Sequence, residues 1–122
     1  KGQAALGCLF IRRGESERAV DHLRPVRHEF LKSDLVEEAG ICGLQMVEGL
    51  LQLGRRHEAE LLARTIVSEF TASGLSKRAI EALGYLTEAI ASKRATVDLA
   101  GTVREYILSL RMAPEREFVA NS

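Results

Sequence analysis

The chain's 122 residues are enough for one domain, and 46% apolar with 28% charged residues is the balance of a folding chain, not a disordered one. Lys plus Arg and Asp plus Glu are both 17, so global charge argues for neither nucleic acid nor a membrane surface. No apolar run approaches the roughly eighteen residues of a membrane-spanning helix.

The chain opens on Lys1-Gly2, with no initiator Met and no signal peptide, and passes directly into Gln3-Ala4-Ala5-Leu6. It therefore reads as an excerpt of a longer protein. The first predicted helix covers 2–13 and ends at Gly14, where a helix C-terminus favours a left-handed residue. The second covers 16–32. Pro25 lies inside it and removes a backbone hydrogen bond, so a kink is expected near Leu23. Asp34 with Glu37 three residues on has capping-box spacing for a third helix over 35–53. Leu35, Ala39, Cys42, Met46, Leu50 and Leu53 then advance by three or four, the step of one helix face. Gly54 marks the next stop. A fourth helix follows over 56–72, with Leu62, Ile66 and Phe70 in phase. Thr71-Ala72-Ser73-Gly74 reads as a turn. The fifth helix is predicted over 75–92 and the sixth over 95–110, with Arg94 at the turn between them. Thr96-Val97-Asp98-Leu99 alternates like a strand but is too short to outweigh its helical surroundings.

A spacing of forty residues organises these elements. Gly14/Gly54, Ala19/Ala59, Phe30/Phe70, Leu35/Leu75 and Ala39/Ala79 keep it. A third segment keeps the apolar positions, as in Leu23/Ala63/Val103 and Val26/Ile66/Tyr106. A fixed period of this size denotes stacked supersecondary units. The predicted architecture is all-α, a right-handed α-solenoid of about three antiparallel helical hairpins. The repeat domain spans 1–111, with units at about 1–33, 34–73 and 74–111. The tail, 112–122, carries Phe118 and Val119 in an otherwise polar stretch.

Phe10, Gly14, Ala19 and Leu23, repeated by Leu50, Gly54, Ala59 and Ala63, resemble the large–turn–small–large pattern of a tetratricopeptide unit. Gly7 matches the small residue at which the helices of a unit cross. The forty-residue period is longer than the usual ~34. It is similar to the elongated repeats in arms of bacterial regulators of the maltose-activator type. Val47 and Thr87 stand at the later crossing positions, so those hairpins are expected to splay.

The resemblance implies a concave groove lined by the first helix of each unit. Its positions fall on Ala4, Ala5, Cys8, Ile11 and Arg12, then on Ile41, Leu44, Gln45, Glu48, Leu51 and Gln52, then on Glu81, Tyr85, Glu88 and Ser92. The Lys, Arg and Asn of a carboxylate clamp are missing, with Ala4, Cys8 and Gln45 in their place. The groove suits an amphipathic helix or a peptide with positive charge facing Glu48 and Glu88. Ile41, Leu44 and Leu51 suit a core equally well.

Catalytic signatures are absent. Gly49 to Arg56 has phosphate-loop glycine spacing but lacks the Lys-Ser/Thr pair. His22, His28 and His57 have no metal-ligand spacing. Cys8 and Cys42 fit small core residues of a reducing cytosol. The expectation is a non-enzymatic cytoplasmic chain that takes no cofactor and no metal and binds a protein or peptide, as part of a larger bacterial regulatory protein.

Two alternatives accompany that reading. One is self-association as a homodimer, through Leu6, Leu9 and Phe10 or through docking of Phe118 and Val119. The other is a basic edge of Arg12, Arg13, Arg55, Arg56, Lys93 and Arg94 that attracts nucleic acid or an acidic partner. Cations at helix C-termini and the neighbouring Glu15, Glu17, Glu58 and Glu60 explain that edge more simply. No aromatics interleave for base stacking, which disfavours nucleic acid.

Overall fold

The computed structural model describes residues 15–110 together with Met112, Ala113 and Phe118. Over these residues the chain is all-helical: α1 (Ser16–Lys32), α2 (Val36–Gln52), α3 (Arg56–Ala72), α4 (Lys77–Ala91) and α5 (Val97–Ser109). The predicted helix over 2–13, with Gly14, lies outside the described residues. Thr96 and its neighbours form no strand. Thr96 Oγ1 instead accepts from the Leu99 N–H at 3.1 Å and caps α5. Ser76 caps α4 in the same way, with Oγ accepting from the Ala79 N–H, so that the helix begins at Lys77, two residues after the predicted start. Helix α1 runs unbroken through Pro25.

One cap recurs at every interhelical turn. The residues in left-handed conformation are Asp34 (φ 61°), Gly54 (φ 76°), Gly74 (φ 66°) and Lys93 (φ 60°). After each, the next N–H reaches back five residues: Leu35 to the Phe30 carbonyl, Arg55 to Leu50, Leu75 to Phe70 and Arg94 to Ala89. The left-handed residue's own N–H bonds three residues back, as Gly54 does to the Leu51 carbonyl. These paired bonds satisfy the orphan carbonyls of each helix end. Two expectations are corrected. Asp34 closes α1 instead of capping α2, whose N-cap position is Leu35 with no side-chain cap. The fourth turn pivots on Lys93, one residue before the expected Arg94.

The burial keeps the sequence period along one face of the helices, though Leu44, Gln45 and Glu48 are buried where Gly84, Tyr85 and Glu88 are exposed. Ala19, Ala59 and Leu99 are buried at equivalent points, as are Leu23, Ala63 and Val103. Ala39 and Ala79, Met46 and Leu86, and Leu50 and Ile90 are buried in matching pairs on α2 and α4.

Helix α2 is the centre of the packing. It lies against α1, α3 and α5, while α4 bridges α3 and α5. Nearly all of α2 from Ala39 to Leu50 is buried, which accounts for a helix apolar on every side. Gly40 and Gly43 permit its close approach to α3. A Cβ at Gly40 would collide with the Phe70 ring, and one at Gly43 would come within 2.7 Å of Ile66 Cδ1. The equivalents one unit on are Ile80 and Leu83, so this approach is not repeated by α4.

Two arginine–carboxylate bridges tie helices distant in sequence. Arg27 of α1 donates to both Glu69 oxygens of α3, Nη1 to Oε1 at 2.9 Å and Nη2 to Oε2 at 2.8 Å. Arg104 of α5 donates from Nε to Glu48 Oε2 of α2 at 2.6 Å. Fork geometry of this kind adds orientation as well as energy.

Candidate functional site

The nine groove candidates on the described helices separate into a buried set and an exposed set. On α2, Leu44 is fully buried in the core, and Gln45 and Glu48 are only 7% and 6% exposed. Ile41 and Leu51 are half-buried and pack against the core. Gln52, at the end of α2, is exposed. On α4, Glu81, Tyr85 and Glu88 are all exposed, Tyr85 to 41%. They occupy positions i−4, i and i+3 and so share one face of the helix. The candidates on 2–13, Ala4 to Arg12, lie outside the described residues.

The chemistry of the two sets differs accordingly. Glu48 is not a free acid facing a groove, because its carboxylate is bound to Arg104. Burial pushes the Glu48 carboxyl above its ordinary value, and the Arg104 hydrogen bond and charge pull it back only in part. The Gln45 Oε1 atom is buried with no hydrogen-bond partner. Glu81 and Glu88 form no ion pair with a described residue.

Tyr85 is the aromatic centre of the exposed set, and it is not alone. The Phe118 ring sits 5.6 Å from the Tyr85 ring and 5.2 Å from the Tyr106 ring, tilted by 57° and 60°. Tyr106 belongs to α5 and is 5% exposed. Phe118 thus covers the seam between α4 and α5, in the edge-to-face geometry that aromatic quadrupoles favour. The tail's two apolar residues signalled a docking segment in the sequence; where Phe118 lands was not legible there. Beside that face, Arg64, Val67, Ser68, Gly84, Thr87 and Glu88 line an open cleft between α3 and α4.

The basic candidates sit at turns. Arg55 is exposed and donates from Nε to Glu58 Oε1 at 2.9 Å, so its charge is answered locally. Arg56 is half-buried, and Lys93 and Arg94 are exposed. Arg12 and Arg13 lie outside the described residues. His22 is half-buried, while His28 and His57 are exposed. Among the described residues no group of three or more His, Cys, Asp or Glu side chains could hold a metal ion. No described helix is long and apolar enough to cross a membrane.

Cys42 is buried on α2, and its thiol donates to the Leu23 carbonyl at 3.5 Å. Burial pushes its pKa from 9.0 up to about 11, against an opposing pull from the Arg27 charge. Such a thiol packs; it does not act as a nucleophile at neutral pH.

Compared with protein-family models, curated proteins and solved structures, the chain matches none.

Proposed function

We propose that the chain is a non-enzymatic protein-interaction scaffold, the partner- or peptide-binding arm of a larger bacterial regulatory protein working in the cytoplasm. Its hairpins form a short right-handed solenoid of the tetratricopeptide type, drawn tight where α5 returns to α2. The observation that carries this reading is the recurrence of one hairpin cap at Asp34, Gly54, Gly74 and Lys93, with buried positions matched at the forty-residue step, as in Ala39/Ala79 and Leu50/Ile90. Repeated supersecondary units of this kind typically serve extended binding surfaces.

The surface assigned to the partner is the exposed face of α4, with Tyr85 as an aromatic anchor between Glu81 and Glu88. Aromatic residues are enriched where binding energy concentrates. The acids favour a partner with positive charge. Capture from a lysate of the native host, with the chain as bait, tests this assignment. Tyr85→Ala combined with Glu88→Lys should lose the protein captured by wild type while the circular dichroism spectrum stays unchanged. Retention of the same protein by the folded variant would reject the face.

Self-association is a second reading, favoured by the seated Phe118: a tail that docks on its own chain can also dock on a neighbour's. Concentration-dependent mass by light scattering that disappears in Phe118→Ala would select it. The basic-edge reading is the weaker alternative, because Arg55 is already paired with Glu58.

A further inference from the structure

The α4–α5 seam has a property that the groove reading does not use. It is occupied by the chain itself. Tyr85 and Tyr106 come from different helices, yet both rings meet the single ring of Phe118. Phe118 is half-buried and packs against the core. Its tether is short: five residues after Ala113 span at most about 17 Å when extended. A ligand held on so short a tether has an effective concentration in the millimolar range. A modest ring contact is therefore enough to keep the seat filled.

The occupant also shows what the seat accepts. Its recognised feature is the Phe118 ring: in sequence Glu115, Arg116 and Glu117 precede it, so the tail brings no net positive charge. The exposed face of α4 carries Glu81 and Glu88, one turn to either side of Tyr85. Neither acid is in an ion pair with a described residue. A partner segment with positive charge beside its phenylalanine would match those acids better than the tail does.

We propose that the Tyr85–Tyr106 seam is a docking seat for a partner segment presenting an exposed phenylalanine, and that the chain's own Phe118 guards the seat as a tethered competitor. This deepens the partner-binding reading and rests on it. A partner must displace Phe118, so the tail sets the threshold concentration at which the partner binds. Trimming or modifying the tail would lower that threshold.

The test uses a fluorescent peptide of residues 112–122 against the full chain, and needs no native partner. Its failure is therefore separable from failure of the lysate experiment. Fluorescence anisotropy should show the peptide binding Phe118→Ala at least tenfold more tightly than wild type. Tyr85→Ala added to Phe118→Ala should abolish that binding, as should Phe→Ala within the peptide. Equal binding to wild type and Phe118→Ala, or none to a folded Phe118→Ala, would overturn the proposal. If wild type sediments as a dimer that Phe118→Ala dissociates, the occupant is a second copy's tail, and the guarding role is overturned. A Phe118→Trp chain supplies a check that leaves the seat filled. Excess peptide should shift its indole emission to the red, and an unchanged spectrum under saturating peptide would count against displacement.

Discussion

Arg104 and Glu48 stand 56 residues apart and meet at 2.6 Å between Nε and Oε2, joining α5 to the central helix α2. Their side chains are only 13% and 9% exposed, so the pair is largely removed from water. Removing one partner of a buried pair leaves an uncompensated charge and costs about 3–5 kcal/mol, whereas replacing both by apolar groups is often neutral. Arg104→Met should therefore be strongly destabilising, and Arg104→Met with Glu48→Leu should recover most of the loss. Urea unfolding of the three chains checks this.

The same pair predicts a pH dependence. Burial already holds the Glu48 carboxyl above its ordinary value, and Arg104 supplies the opposing pull. Without Arg104 the carboxyl rises further. A group with a raised folded pKa contributes its stability below the unfolded value and loses it as pH climbs through the folded pKa. The deficit of Arg104→Met relative to wild type should be smallest near pH 4 and grow toward neutrality. A deficit that grows on acidification would contradict the assignment.

Two glycines should respond oppositely to alanine. Gly40 faces the Phe70 ring, and an added Cβ has no room there. Gly40→Ala should cost about 1–3 kcal/mol through overpacking. Gly84 is exposed within α4, and an added Cβ meets nothing within 4 Å. Gly84→Ala should gain about 0.5–1 kcal/mol from helix propensity. Shifts of the urea midpoint in opposite directions at constant slope would confirm both.

The caps give a second opposed pair. Lys93 bears a side chain at φ 60°, where left-handed backbone costs a non-glycine residue about 1–2 kcal/mol. Lys93→Gly should raise stability by up to about 1 kcal/mol, once glycine's greater freedom in the unfolded chain is set against that relief. Gly54→Ala, at φ 76°, should lower it by about 1 kcal/mol. Thermal melts of the two variants separate the outcomes.

Cys42 should be unreactive in the native chain. Its thiol, with a pKa of about 11, is protonated at neutral pH and buried against Leu23. In a Cys8→Ser background, labelling by a thiol reagent should track global unfolding and accelerate only with denaturant. Rapid labelling under native conditions would show that α1 and α2 separate locally.

The helices were legible because their apolar phase and their stops agree. Gly54 and Gly74 announce left-handed turns by residue type alone. Asp34 misled because aspartate suits both an N-cap and a left-handed residue. Leu35 decides between them: its N–H bonds back to the Phe30 carbonyl, and the preceding residue then closes α1. Lys93 carries no such mark, since nothing in a lysine favours positive φ, and a strict forty-residue step lands on Arg94 instead. Glu48 is the lone charge in the apolar run from Ala39 to Leu53, yet the groove expectation set it facing a partner. Its pairing with Arg104 was not legible, because pairing across 56 residues depends on how α5 returns to α2. Glu81, Tyr85 and Glu88 were legible as a shared face because helix phase alone places them together.

The most direct test of the interaction reading is amide hydrogen exchange on the chain alone and with its captured partner. The account predicts new protection over residues 81–88 of α4, with loss of protection around Phe118 as the tail leaves its seat. Protection confined to the turns at Arg55–Arg56 and Lys93–Arg94, with 81–88 unchanged, would contradict it and transfer the binding surface to the basic edge.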